Sequence, residues 1–219
     1  MDLRLIPDDW PLADQLLPLA AAAARRLGLE DRLRSLTLVI DALAADDRSW
    51  LTLGGEPQQR RLTLYLHPDQ VLRDRPGHGA ARRDDVDWSQ GPAPAADAAP
   101  SPDDFSAPNA QRFLYRQLQL VDDLMAQRLD PAQVPAALLE AFQEAWLTTI
   151  DGRLQREGLP HLSEGERRMR FLRLFSPAGV LTPRHWAIFN ALWTGEAADQ
   201  DAVLARVRAL PPLRRRLLP

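Results

Sequence analysis

The chain has 219 residues, 45% of them hydrophobic, which suits one domain with a real core and excludes global disorder. Its formal net charge of −3 gives no overall attraction to nucleic acid or to an anionic membrane. Cysteine is absent, so disulfides, thiolate metal sites and cysteine nucleophiles are excluded. All 27 basic residues are arginine, a bias that reads as GC-rich, bacterial coding rather than as function. Met1-Asp2-Leu3-Arg4 lacks the basic-then-apolar signal pattern. Leu16–Ala24 is apolar but shorter than the roughly 20 residues a bilayer span requires, and Pro18 interrupts it. A soluble cytoplasmic protein with no membrane partner is the expectation.

Leu3–Ile6 is a short strand ahead of Pro7. Pro11 suits the first turn of a helix that runs to about Leu27 and stops at Gly28, its Ala20–Ala24 run suited to close packing. Leu36–Asp41 is β-branched and apolar, as expected of a strand buried on both faces. Gly54-Gly55 marks a turn. In Arg61–His67, Leu62, Leu64 and Leu66 alternate with Thr63, Tyr65 and His67, the pattern of a half-buried strand, expected to pair with the previous one. From Arg75 to Pro108 Gly, Pro, Ala and Asp dominate, and this stretch reads as a mobile insertion loop within a single domain spanning 1–219.

Asn109 is the expected N-cap of the central helix, which ends near Leu129. Leu114, Leu118, Val121 and Met125 share one face of it. Pro135 opens a second helix, Ala136 to about Arg156, with Leu139, Phe142, Trp146 and Ile150 on its buried face and Glu140, Glu144, Leu147 and Asp151 on an adjacent one. Ser163-Glu-Gly-Glu166 is a capping box for a helix to about Phe175. Thr182-Pro183 caps another, Arg184–Trp193, closed by Gly195, and a last helix covers Ala198 to about Leu210.

The order of elements resembles the small zincin-like metallopeptidase domains, in which a short sheet lies over a central helix bearing H-E-x-x-H. There two His on one helix face bind zinc, and the Glu is general base toward the bound water. Leu114-Tyr-Arg-Gln-Leu-Gln-Leu-Val-Asp-Asp123 resembles that helix, and Trp146-Leu-Thr-Thr-Ile-Asp-Gly-Arg-Leu154 the one after it, so the likeness covers about Phe113 to Leu154. It implies an α+β fold with a helix-rich C-terminal half. It also implies former metal-site positions at Arg116 (first His), Gln117 (Glu) and Leu120 (second His), with Asp151 as third ligand. Arginine cannot ligate a cation, Gln cannot abstract a proton and Leu has no donor atom. The resemblance therefore implies a pseudoenzyme without catalytic residues, metal or cofactor: a non-catalytic binding or regulatory protein with a protein or peptide partner. It further implies an Arg116–Asp151 or Arg116–Glu144 pair in place of the metal.

Two alternatives stand beside it. A hydrolase could use carboxylates of the same cleft, Glu140, Glu144, Asp151 and Asp123. A nucleic-acid binder could use the basic helix face Arg167–Arg173, although Phe171 and Phe175 share their face with Leu172 and read as core. Neither a phosphate-binding glycine loop nor a G-x-S-x-G elbow occurs. The four His, at 67, 78, 161 and 185, have no i, i+4 partners and read as surface or internally satisfied.

Overall fold

The protein was examined as a computed structural model that describes residues 1–41, 50–56, 59–73, 100–176, 182–197 and 199–210. The fold is α+β, with one four-stranded sheet and a helix-rich C-terminal half. The chain divides into two compact units, Met1–Leu114 and Tyr115–Pro219.

The first unit carries β1 (Asp2–Ile6), α1 (Ala13–Arg26), β2 (Leu33–Ile40), β3 (Trp50–Gly54) and β4 (Arg60–Leu66). Leu16, Ala20, Ala23 and Ala24 form the buried stripe of α1, which packs against β1. The helix closes as expected: Gly28 takes φ 65, Gly28 N–H bonds the Arg25 carbonyl and Leu29 N–H reaches back to Ala24. Strand order is β1-β2-β4-β3, with β1–β2 and β2–β4 parallel and β3–β4 antiparallel. The expected pairing of Leu36–Ile40 with Leu62–Leu66 is present, in the register Leu36↔Leu62, Leu38↔Leu64, Ile40↔Leu66. Leu5, Leu36, Leu38, Leu62, Leu64 and Leu66 make one buried face.

Two readings of this unit need correction. β2 is central but not buried on both faces: Ser35, Thr37 and Val39 remain half-buried, because only the leucine face of the sheet is closed over. β3 was missed altogether. Its pairs Leu51↔Leu64 and Leu53↔Leu62 add a hairpin arm, turned at Gly55 (φ 88), where a Cβ would stand 2.6 Å from the Gln59 carbonyl oxygen.

The assignment of 75–108 to a mobile loop falls outside the described residues as far as 99. Residues 100–108 carry local structure. Pro102–Asp104 is a short 3-10 turn, and Phe105, 7% exposed, bridges Leu72. Arg73 N–H bonds the Asp104 carbonyl and Ser106 N–H the Val71 carbonyl. A single buried aromatic anchors a stretch whose composition alone suggested none. The next helix, α2 (Ala107–Met125), is capped by Ser106 rather than Asn109: Ser106 Oγ accepts from Asn109 N–H, while the Asn109 side chain donates to the Leu72 carbonyl.

The second unit holds the end of α2, then α3 (Leu139–Arg156), α4 (Glu164–Phe175), α5 (Pro183–Thr194) and α6 (Gln200–Arg208). α2 ends four residues earlier than expected. Gln127 takes φ 57, and Gln127 and Arg128 N–H return to the Leu124 and Asp123 carbonyls, a Schellman closure built on a residue with a side chain. Ser163 and Glu166 form the expected capping box, and Asp199 caps α6. α3 is the hub, contacting α4, α5 and α6. Phe142, Trp146 and Ile150 are buried as expected, whereas Leu139 is 36% exposed because it opens the helix. α3 and α5 meet at Gly152, where an added Cβ would lie 2.1 Å from the Trp193 carbonyl oxygen.

Candidate functional site in the helical unit

Three buried charges organise the interior of the second unit. Asp123 at the end of α2 and Asp151 on α3 are fully buried, and Arg167 on α4 is 1% exposed. A buried charge is tolerated when it is paired and its remaining valences are filled. Each of these meets that requirement.

Asp151 accepts from the Leu162 backbone N–H at 3.1 Å and from Arg167 Nε at 2.7 Å, with Arg167 Nη2 on the same oxygen. Arg167 Nη1 donates to Glu144 Oε1 at 2.9 Å. Glu144 and Asp151 lie two turns apart on α3, so one guanidinium from α4 clasps both. Burial opposes the charge on Arg167, but Asp151 and Glu144 outweigh it and hold the group above its ordinary pKa.

Asp123 forms a second cluster. It accepts from Trp146 Nε1 at 3.0 Å, Arg128 Nε at 3.0 Å and Arg153 Nη1 at 2.8 Å, and Arg153 Nη2 completes a bidentate pair. Arg128 also bonds Asp122. Burial works against Arg128, and the hydrogen bond and charge of Asp123 more than offset it, leaving its pKa raised.

The substitution of Arg116 for a metal therefore needs correction in its partner. The carboxylates do find a guanidinium, but it is Arg167. Arg116 makes no hydrogen bond or ion pair to either carboxylate, and its Nε is enclosed without an acceptor. Burial lowers its pKa from the ordinary arginine value to about 10; the charge of Asp151 pulls it back up, while Arg167 and Arg170 push it down. Arg116 thus stands within electrostatic range of Asp151 but outside the clasp.

Gln117 is 6% exposed, Leu120 half-buried and Glu140 exposed at the start of α3. Of the expected cleft carboxylates, Glu144 and Asp151 share Arg167, whereas Asp123 belongs to the other cluster. Among the described residues no group of three or more His, Cys, Asp or Glu is placed to hold a metal ion.

The basic face of α4 is reduced in the same way. Arg167 points inward, and Arg168 pairs with Glu164 and lies over the rings of Trp186 and Phe189 at 5.4 and 5.3 Å. Phe171 and Phe175 are core, as expected. His185 is buried and satisfied: Nδ1 accepts from Thr182 N–H, so Nε2 carries the proton toward the Phe175 carbonyl at 3.2 Å. No helix among the described residues is long and apolar enough to cross a membrane.

Sequence reasoning missed the role of Arg167, although the signal was present. Arg167, Phe171 and Phe175 stand at i, i+4 and i+8 and share one face, so an arginine there enters the core with the aromatics. The chain matches no protein-family model, no curated protein and no solved structure.

Proposed function

We propose that this chain is a non-catalytic binding or regulatory protein on a metallopeptidase-like scaffold, acting in the cytoplasm on a protein or peptide partner. The observation that carries the reading is the Arg167 clasp on Asp151 and Glu144. The carboxylate at the third-ligand position is committed to a structural cation, and its α3 neighbour with it. A general base needs a free lone pair aimed at a substrate or water, and Asp151 directs its oxygens to Leu162 and Arg167 instead.

Metal analysis of the purified full-length chain, paired with hydrolysis of an unfolded protein substrate, tests this. The expected result is neither stoichiometric zinc nor chelator-sensitive cleavage. Zinc at one equivalent, lost to chelator together with peptidase activity, would overturn the reading.

A further inference from the structure

A concavity of about 100 Å³ in the second unit is lined by Arg128, Trp146, Thr149, Arg153, Arg156, Gly195 and Ala197. Three of its seven lining residues are arginines. We propose that it is a binding site for a phosphate group, free or carried on a small molecule. The proposal goes beyond the metallopeptidase-like reading and does not rest on it.

Charge argues first. The anions facing these arginines are Asp122 and Asp123, held by Arg128 and Arg153. Among the described residues Arg156 has no acidic partner: its Nη1 bonds the Trp193 carbonyl oxygen. Glu196, beside two lining residues, engages Thr194 Oγ1 at 3.4 Å and not Arg156. Arg156 is therefore the lining guanidinium that no carboxylate holds.

Donor capacity argues second. Each guanidinium offers five N–H groups in a planar fork. Arg156 spends one of them, on the Trp193 carbonyl. An oxyanion with several acceptor oxygens suits such a set better than a neutral ligand does.

Preorganisation argues third. Bidentate bonding to the fully buried Asp123 fixes Arg153, Arg128 is tied to Asp122 and Asp123, and the Trp193 carbonyl holds Arg156. The forks are set before a ligand arrives, which removes an ordering cost from binding. The space equals about three waters at roughly 30 Å³ each, room for one tetrahedral group.

The test is a titration of the full-length chain with inorganic phosphate at fixed ionic strength, followed by ¹H–¹⁵N NMR at the Trp146 indole N–H. That signal is identified by its loss in Trp146→Phe. A saturable shift with Kd of about 1 mM or below is expected, weakened about tenfold or more in Arg156→Gln and less in Arg156→Lys. Absence of a saturable shift in the unaltered chain overturns the proposal whatever the variants do. An equal shift with chloride reduces it to screening and also overturns it. Acetate binding as tightly as phosphate overturns the assignment to a phosphate group. Should Arg156→Gln fail to fold, the Arg156→Lys comparison carries the variant arm, and wild-type affinity there overturns a role for the guanidinium fork.

Discussion

Arg167 of α4 holds Asp151 of α3 through Nε at 2.7 Å and through Nη2, with both side chains out of contact with water. Removing either partner strands a buried charge. Arg167→Leu or Asp151→Leu is expected to cost about 3–5 kcal/mol, and the double variant much less than the two costs together. Urea melts of the three variants supply the cycle. The same cycle between Arg116→Leu and Asp151→Leu should show a far smaller coupling, and a coupling as large as that of Arg167 would mean that the clasp is misassigned.

Arg116 is a cation that the fold tolerates at a cost. Its pKa is lowered to about 10 in the folded state, well below the ordinary arginine value, chiefly by burial. Above about pH 10 the unfolded chain therefore keeps a proton that the folded chain releases, and stability contributed at this position rises with pH from there toward the ordinary arginine pKa. Below that window the penalty is constant. Arg116→Met should raise stability near neutral pH by about 1–3 kcal/mol and flatten the alkaline rise. A loss of stability in chemical denaturation would show that the guanidinium is needed where it stands.

Gly152 is where α3 and α5 come closest. Gly152→Ala places a methyl group 2.1 Å from the Trp193 carbonyl oxygen, and backbone cannot swing aside as a side chain can. The helices must separate, at a cost of about 3 kcal/mol or more. Circular dichroism during thermal unfolding would register this as a lower Tm. An unchanged Tm would mean that the crossing is looser than described.

Gln127 closes α2 with φ 57, a conformation in which a side chain is strained and glycine is not. Gln127→Gly is expected to stabilise the second unit by about 0.5–1 kcal/mol. A destabilisation of that size in a denaturant titration would show that the Gln127 side chain contributes something glycine cannot.

Much of the fold was legible because its signals are local. The Gly28 and Gly195 stops, the Ser163 capping box and the leucine alternation of β4 need only a few neighbouring residues to be read. β3 escaped because five residues beside an Ala/Asp-rich stretch look weak alone; its Leu51/Leu53 alternation gains meaning from the Gly54-Gly55 turn and the leucines of β4. The polar core was half legible. That Asp151 and Glu144 required a cation followed from the resemblance, which put them where a metal would otherwise sit. Which arginine supplies it depends on how α4 returns across α3, and no local pattern in α2 or α3 carries that. Reading Arg167 as one of a basic run hid its shared spacing with Phe171 and Phe175.

The strand order sets a sequence of events during folding. β3 and β4 are joined by the short Gly55–Gln59 turn, so their antiparallel pairing closes a small loop and can form early. The parallel β2–β4 and β1–β2 pairings join segments further apart in the chain, with the hairpin arm intervening in one case and α1 in the other. Such contacts recover their chain-ordering cost only after the distant strands arrive. β1, an edge strand whose pairing spans the longest stretch of chain, is therefore expected to dock last. A substitution at Leu5, which fills the buried face opposite Leu38, should speed unfolding while leaving the folding rate nearly unchanged.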